Sequence, residues 1–269
     1  DVDRLQDQGI GVFVLGLGLA HAVVALLAVE DAYSPGVPRI KHAIVTARRR
    51  DYIGGMVKHA FSHVSHWVFD LDNTLYPPHA RLFDQIEVRM TRFVMEALNV
   101  TRPEADRLRK AYWAEYGTTL AGLMRVHGVD PAPYLTEVHD ISLDHLDRDT
   151  ELAAHIADLP GRRIVYTNGS APYAERVLEA RGLAGLFDAV YGVEHAGFLP
   201  KPERAAFEAV FSRDGVDTAR AAMFEDDPRN LAAPHQMGMR TVHVAPDRHE
   251  ADHIHHHTDD LTAFLSQLV

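Results

Sequence analysis

The sequence has no cysteine among its 269 residues. The protein therefore forms no disulfide, has no thiolate nucleophile and cannot hold zinc or an iron–sulfur cluster through sulfur ligands. Basic residues are also in the minority, because 27 Lys and Arg stand against 38 Asp and Glu and give a formal net charge of −11. A chain this acidic lacks the broad basic surface typical of nucleic-acid binding, so we expect no nucleic-acid partner.

The chain does have enough apolar residues for a sizeable core, with 46% hydrophobic and 24% charged residues. One uncharged run, residues 10–29, is long enough to span a membrane as a helix, and its single polar side chain is His21. Basic residues follow at Arg39, Lys41 and positions 48–50, which would place the rest of the chain on the cytoplasmic side of such an anchor.

Two other interpretations of residues 1–55 stay open. The apolar run could pack on the main domain, or the segment could be a dispensable or non-native extension, because the first methionine is Met56 and no typical leader or cleavage signal precedes it. We expect a cytoplasmic catalytic region in each case, and membrane contact only if the run is an anchor.

From residue 66 onward, short apolar runs alternate with helical patterns, which is typical of parallel βαβ units. The first two predicted strands are separated by about ninety residues, far more than a crossover needs, and these residues show helical periodicity. We therefore predict an α/β core formed by residues 66–79 and 151–269, with a helical cap inserted at 80–150. The predicted strands are 66–69, 163–166, 189–191, 222–224 and 241–244, and the predicted core helices are 174–181, 202–211, 230–237 and 259–268.

Two carboxylates, Asp70 and Asp72, follow the first predicted strand. In an extended chain their side chains point the same way, and ligands of open parallel sheets bind at the carboxyl ends of strands. Two carboxylates held together require a cation or a raised pKa, so the pair predicts a divalent metal or a protonated acid. An ordinary turn is the alternative for this pair taken alone.

Three more strand ends carry polar residues. Thr167, Asn168 and Gly169 offer hydroxyl and N–H donors suited to phosphate oxygens, and Lys201 between two prolines supplies a cation. Glu225, Asp226 and Asp227 add oxygen ligands. Each group alone is common in loops, but four of them in the order Asp, Thr, Lys, Asp after four predicted strands indicate one site.

These motifs resemble the haloacid dehalogenase superfamily of phosphotransferases from about residue 66 to the C-terminus. The D-x-D-x-T motif is matched by Asp70, Asp72 and Thr74, and the later motifs by Thr167, Lys201 and the acidic pair Asp226 and Asp227. The sequence FDLDNTLYP at 69–77 and the cap segment at 116–120 are most similar to the pyrimidine 5'-nucleotidase-like group. The resemblance implies a Rossmann-like parallel sheet flanked by helices.

The resemblance also implies roles for these residues. Asp70 would attack phosphorus, Asp72 would act as general acid and base, and Thr167 and Lys201 would neutralise the phosphoryl oxygens. Mg²⁺ would be held by Asp70, the backbone carbonyl of Asp72 and Asp227. Asp226 would orient these metal ligands and would not bind the metal directly.

Substrate choice is expected from the cap, where Tyr116 is a candidate substrate contact. Asn168 and Thr74, at the strand ends, are expected to support the phosphate of the substrate. The expected function is a magnesium-dependent phosphomonoesterase for a small phosphorylated metabolite, a pyrimidine nucleoside monophosphate. The alternatives are a phosphatase for phosphoglycolate or a sugar phosphate, and a membrane-tethered scaffold with an inactive hydrolase core.

A histidine cluster precedes the last predicted helix, with His249, His253, His255, His256 and His257 close together. No acidic or cysteine ligand accompanies it at a fixed spacing. We therefore expect a solvated loop here in place of a specific zinc site.

Overall fold

The computed structural model describes residues 56–269, and the fold is given for that part of the chain. The interpretations of the 10–29 run and of residues 1–55 lie outside the described residues. Between residues 56 and 269, no helix combines the length and the apolar character needed to cross a membrane.

A parallel sheet of six strands forms the centre of the described region, in the order β3-β2-β1-β4-β5-β6. Phe69, the last residue of β1, lies opposite Val165 of β2 and Phe224 of β4, so the carboxyl ends of these three strands are nearly level. The strands are β1 (His66–Phe69), β2 (Arg162–Tyr166), β3 (Ala189–Tyr191), β4 (Ala221–Glu225), β5 (Arg240–Val244) and β6 (His256–Thr258).

Alternate side chains of the central strands enter two apolar layers, one on each face of the sheet. Phe69, Val165 and Phe224 belong to one layer, and Val68 and Met223 to the other. Central parallel strands covered on both faces read as continuous apolar runs, which is why they stand out in the sequence. The predicted α/β class is confirmed, and the five predicted strands are present with ends shifted by at most one residue.

The sixth strand corrects the expectation for the histidine cluster. His256–Thr258 forms β6 at the edge of the sheet and pairs in parallel with Val242–Val244 of β5. All three residues are half-buried. The predicted solvated loop is therefore wrong for His256 and His257, because backbone hydrogen bonds to β5 order a segment whose polar side chains give no strand pattern.

Of the α-helices between β1 and β2, four lie within the predicted range 80–150. They are α1 (Leu82–Leu98), α2 (Arg102–Tyr116), α3 (Thr119–His127) and α4 (Pro131–Val138). Helix α3 begins where the Thr118 hydroxyl accepts a hydrogen bond from the backbone N–H of Ala121, and Asp130 caps α4 in the same way. The predicted helical cap is helical only as far as Val138, and residues 139–149 form no helix. We refer to these four helices as the cap.

The remaining helices cover the two faces of the sheet. Buried side chains of α5, α6 and α9 join the layer that contains Phe69, and those of α7 and α8 join the layer that contains Val68. Helix α6 begins five residues after β2 ends, so its first turn lies beside the strand end. These helices are α5 (Thr150–Asp158), α6 (Ala171–Arg181), α7 (Arg204–Asp214), α8 (Ala232–Gln236) and α9 (Leu261–Leu265).

Candidate active site

A cavity of about 580 Å³ lies where the cap meets the carboxyl edge of the sheet. This volume is within the range of small-molecule sites. Most of the residues predicted from the strand ends line it, and Thr74 and Tyr116 do not. The predicted site residues that line the cavity are Asp70, Asp72, Thr167, Asn168, Lys201, Asp226 and Asp227.

Lys201 is the buried cation at the base of the cavity, with 1% of its surface exposed. Its Nζ donates to Asp70 Oδ1 at 2.6 Å, to Glu225 Oε2 at 2.5 Å and to the backbone carbonyl of Tyr166 at 3.1 Å. Burial alone would lower the pKa of Lys201, but the carboxylates of Asp70 and Glu225 outweigh it and raise the pKa. Lys201 is therefore a fixed positive charge beside Asp70.

Three carboxylates meet next to this ammonium group. Oxygen atoms of Asp70, Glu225 and Asp226 lie within 4.8 Å of one another, and in residues 56–269 this is the one acidic or histidine group so arranged. Burial, followed by repulsion from Glu225, raises the pKa of both Asp70 and Asp226. A single ammonium leaves this oxygen cluster short of positive charge, and an all-oxygen donor set is what Mg²⁺ prefers, so these residues fit the expected cation.

The two neighbouring aspartates after β4 lie in different surroundings. Asp226 accepts a hydrogen bond from Asn73 Nδ2 at 3.1 Å and faces the acidic cluster. Asp227, expected as a metal ligand, instead pairs with Arg229, whose Nη2 lies 2.6 Å from Asp227 Oδ2. Its carboxylate also accepts from the backbone N–H of Arg229 and so caps the 3₁₀ turn at Pro228–Leu231. The structure therefore places Asp226, and not Asp227, beside Asp70.

Asp72 lies two residues beyond Asp70 and is held by two phenols. Tyr76 donates to Asp72 Oδ1 at 2.6 Å and Tyr173 donates to the same oxygen at 2.8 Å. Burial raises the pKa of Asp72, and the two hydrogen bonds oppose that rise. A carboxyl group with a raised pKa in a cavity is suited to donating and accepting protons.

The end of β2 fixes the position of Lys201. The Asn168 side chain accepts from the backbone N–H of Lys201 at 2.8 Å and donates to the Lys201 carbonyl at 3.0 Å. Both polar groups of the Asn168 amide are thus engaged by the chain itself, although the residue lines the cavity. Thr167 is buried, and its Oγ1 accepts from the backbone N–H of Gly169 at 2.9 Å.

Thr74 and Tyr116, two of the expected substrate contacts, lie off the cavity. Thr74 is buried in the turn after β1, where its backbone N–H bonds to the Leu71 carbonyl. The Tyr116 ring packs against Tyr112, with the Arg125 guanidinium 5.6 Å from its centre. Within residues 56–269 the buried Thr74 hydroxyl has no hydrogen-bond partner, and neither Thr74 nor Tyr116 lines the cavity.

Residues that follow Tyr116 bring the cap onto the core. Gly117 has φ of +85°, and a Cβ atom there would lie 3.1 Å from the Lys201 carbonyl oxygen. A glycine is therefore needed for this close approach. Thr118, Thr119 and Leu120, which come next, line the cavity.

The cap side of the cavity is apolar. Its polar groups in the described residues are the hydroxyls of Thr118, Thr119 and Tyr134, the indole of Trp113 and the ring of His139, and no charged cap side chain lines it. Burial lowers the pKa of His139 to about 4, so this ring is neutral at pH 7. The apolar side chains of this wall are Phe83, Ile86, Met90, Leu120, Leu135 and Val138.

Trp113 and Arg229 meet at the mouth of the cavity. The Arg229 guanidinium lies 3.6 Å from the centre of the Trp113 ring, a cation–π contact between α2 of the cap and the loop after β4. Asp227 holds the same guanidinium. Asp227, Arg229 and Trp113 thus form one chain of contacts from the loop after β4 to the cap.

Three residues of the site, Tyr76, Tyr173 and His139, had no role predicted from the sequence, and Glu225 was expected only as an oxygen ligand. Glu225 was part of the acidic run, but nothing local indicated that it would bind Lys201. Tyr76 was in the first motif without an assigned role. Tyr173 and His139 carry no pattern that predicts a site, because each reaches Asp72 or its neighbours only through the tertiary fold.

Three solved structures, each from a named bacterium, share the fold of this chain. CbbY from Rhodobacter sphaeroides, solved in complex with phosphate, matches with a TM-score of 0.53 and 20% identity, covering 76% of this chain and 99% of that one. The 2-haloacid dehalogenase of Pseudomonas syringae pv. Tomato matches with a TM-score of 0.52 and 22% identity, and the match covers 76% of this chain and 98% of that one. YfnB, a HAD-hydrolase of Bacillus subtilis bound to magnesium, matches with a TM-score of 0.51 and 16% identity, and the match covers 76% of this chain and 98% of that one. At these identities the likeness shows the fold alone.

A curated relative is phosphate metabolism protein 8 of Saccharomyces cerevisiae, 26% identical over 204 residues. The match covers 69% of this chain and 64% of the relative, so the chain spans less than two thirds of that protein's length. The family model described as haloacid dehalogenase-like hydrolase matches residues 64–238, which include every strand end of the cavity. The chain therefore belongs to the haloacid dehalogenase-like hydrolase family.

Proposed function

We propose that this hydrolase is a magnesium-dependent phosphomonoesterase that forms an aspartyl-phosphate on Asp70. One observation carries the proposal. The Asp70 carboxylate lies 2.6 Å from the buried Lys201 ammonium and within the carboxylate cluster of Glu225 and Asp226. Asp72 lines the same cavity and is free to exchange a proton with a bound ester.

In the first step an Asp70 oxygen forms a bond to phosphorus, and the bond from phosphorus to the ester oxygen breaks. The departing oxygen takes a proton from Asp72, so the products are the free alcohol and the aspartyl-phosphate. The Lys201 ammonium and the Thr167 hydroxyl neutralise the phosphoryl oxygens as charge shifts in the transition state.

In the second step a water oxygen forms a bond to the same phosphorus, and the acyl-phosphate bond to Asp70 breaks. Asp72, now ionised, takes the proton of the attacking water. Orthophosphate leaves, Asp70 is again a free carboxylate and Asp72 is again protonated. One carboxyl group thus serves both steps because the first step leaves it in the form that the second requires.

Asp70, Asp226 and the backbone carbonyl of Asp72 are the groups proposed to hold Mg²⁺, which supplies positive charge against the transferring phosphoryl group. Lys201 alone balances only one of the three clustered carboxylates. Burial, and after it the repulsion from Glu225, raises the pKa of Asp70 and of Asp226, and a cation bound between the two carboxylates would oppose both effects.

The site favours a phosphatase over a dehalogenase, although both reactions occur on this fold. Dehalogenation needs neither a second acid nor a metal site. Here Asp72 follows the nucleophile, and Asp226 stands beside it. These two carboxylates have a task in phosphoryl transfer and none in displacement of a halide.

The cap wall supports a nucleoside as the leaving group, and we propose pyrimidine nucleoside monophosphates as substrates. The wall has apolar surface for a flat base and hydroxyls at Thr118 and Thr119 for its polar edge. No cationic side chain of the cap would pair with a carboxylate such as that of phosphoglycolate, and the Arg229 guanidinium at the mouth is already paired with Asp227. An unpaired charge in apolar surroundings costs several kcal/mol.

A substrate panel tests this proposal. Phosphate release is measured for UMP, CMP, AMP, phosphoglycolate and glucose 6-phosphate, each with Mg²⁺ and with a chelator, and Asp70→Asn protein serves as the blank. We expect activity that requires Mg²⁺ and a kcat/KM for UMP and CMP about tenfold or more above the other esters. Equal rates across the panel would contradict the nucleotidase assignment. Full activity in the presence of the chelator would contradict the requirement for Mg²⁺.

A further inference from the structure

The hydroxyls of Tyr76 and Tyr173 converge on one atom. Both donate to Asp72 Oδ1, at 2.6 Å and 2.8 Å. Tyr76 comes from the loop after β1, four residues beyond Asp72, and Tyr173 from the first turn of α6, 101 residues away in sequence. Two unrelated elements of the fold therefore hold the same carboxylate oxygen.

Both phenols are fixed in place. Tyr76 has 1% and Tyr173 2% of its surface exposed. The Tyr173 ring stacks on His139, with centres 4.4 Å apart and planes within 7° of parallel. His139 in turn has its Nδ1 within 3.2 Å of the Ser170 hydroxyl, one turn ahead of Tyr173. Rings held this tightly lose little further freedom when they bond to Asp72.

The second oxygen of Asp72 is left for the substrate. Within residues 56–269, Asp72 Oδ2 has no hydrogen-bond partner, and Asp72 lines the cavity. A carboxyl group that can rotate freely offers either oxygen in many directions, whereas two donors on Oδ1 select one orientation. A general acid acts only when it lies within hydrogen-bond reach of the oxygen that it protonates.

We propose that Tyr76 and Tyr173 are positioning residues that hold Asp72 with Oδ2 directed at the leaving-group oxygen. The inference rests on the proposed function, in which Asp72 protonates that oxygen. A merely structural pair of tyrosines would affect all substrates alike. Positioning of the acid matters only for leaving groups that need a proton.

The test compares two esters in Tyr76→Phe, Tyr173→Phe and the double variant. One ester is p-nitrophenyl phosphate, whose nitrophenolate leaves as a stable anion without a proton. The other is UMP, or whichever alkyl phosphate of the substrate panel the wild type hydrolyses. The readout is kcat/KM, which reports steps up to departure of the leaving group and not the later hydrolysis of the aspartyl-phosphate.

We expect each single variant to lower kcat/KM for the alkyl ester about tenfold and for the nitrophenyl ester less than about threefold, with a larger gap in the double variant. Tyr112→Phe is the matched control, because Tyr112 is also buried and its hydroxyl is bonded to His127 Nε2 at 2.6 Å, away from the cavity. We expect Tyr112→Phe to leave the ratio of the two kcat/KM values unchanged.

Equal losses on both esters in the folded variants would overturn the positioning role. Thermal unfolding identifies any variant that fails to fold, and Tyr76→Phe and Tyr173→Phe alter different elements, so one can stand for the other. Failure of the proposed function gives a different result, because the wild type itself would then release no phosphate from either ester.

Discussion

The two walls of the cavity differ in almost every physical property. The sheet edge presents charged groups that bind one another, such as Lys201 with Asp70 and Glu225. The cap presents apolar side chains such as Ile86 and Leu135, with no charged group among its described lining residues. In the proposed mechanism the reacting groups therefore all come from the sheet edge, and the cap would contact the part of the molecule that varies between substrates.

This division follows from how each wall is built. Loss of the buried Lys201 ammonium would leave the carboxylates of Asp70 and Glu225 buried without their cation, which is strongly destabilising. Apolar side chains such as Leu135 and Met90 can be exchanged at modest cost when volume is kept. We therefore expect substitutions at the sheet edge to abolish turnover and substitutions in the cap wall to redirect it.

Asp70→Asn removes the nucleophile and keeps the shape of the side chain. We expect kcat to fall by about 10⁴-fold, because the amide cannot form the acyl-phosphate. Phosphate release under saturating substrate is the measurement. Asp84→Asn, on the exposed first turn of α1, is the control and should match the wild type. If Asp70→Asn turned over as fast as the wild type, the assignment of the reacting groups to the sheet edge would be contradicted.

Asp226→Asn and Asp227→Asn separate the two acids after β4. Because Asp226 faces Asp70 and Asp227 is bonded to Arg229, we expect Asp226→Asn to raise the Mg²⁺ concentration for half-maximal activity about 100-fold. Asp227→Asn should raise it by less than about tenfold. Magnesium titrations of both variants measure this, and the reverse order of effects would restore Asp227 as the ligand.

Met90→Lys adds a cation to the apolar wall. Met90 is half-buried on α1, so an ammonium group there can reach the cavity while its stem stays packed. We expect the ratio of kcat/KM for UMP to that for phosphoglycolate to fall about tenfold, because the carboxylate gains a partner.

Val88→Lys is the matched control for Met90→Lys, since Val88 is 63% exposed on the same helix. The ratio should stay at its wild-type value in Val88→Lys. An unchanged ratio in Met90→Lys, or an equal fall in both variants, would show that the cap wall does not select the leaving group.

Trp113→Ala tests the contact at the mouth of the cavity. A cation–π contact at a half-exposed site contributes about 0.5–1 kcal/mol, so we expect kcat/KM for UMP to fall only about threefold. Trp113→Phe keeps an aromatic face under Arg229 and should recover most of that loss. A loss above about 100-fold in Trp113→Ala would mean that this residue binds substrate directly.

The sheet could be predicted from the sequence because its central strands are apolar on both faces and end abruptly in polar residues. Asp70 and Thr167 each follow such a run, so their convergence at one edge followed from parallel pairing. Strand β6 could not be found in this way, because His256 and His257 are polar and only pairing with β5 orders them.

The choice between Asp226 and Asp227 also could not be made from the sequence. Adjacent acids at a strand end point in different directions, and the capping of the turn after β4 by Asp227 decides which one faces Asp70. The contact of Tyr173 with Asp72 was still harder to predict, since no local sequence pattern connects the two residues. Contacts between residues far apart in the sequence are set by tertiary packing and give no periodic pattern in the sequence.

The central claim is that Asp70 carries the phosphoryl group during turnover. The most direct test is rapid mixing with an excess of ester, acid quenching within the first turnovers, and mass spectrometry of the peptide that contains residues 66–81. Our account predicts a phosphorylated peptide with the modification on Asp70, absent from Asp70→Asn protein. Turnover with water attack alone, and no phosphorylated peptide at any quench time, would contradict it.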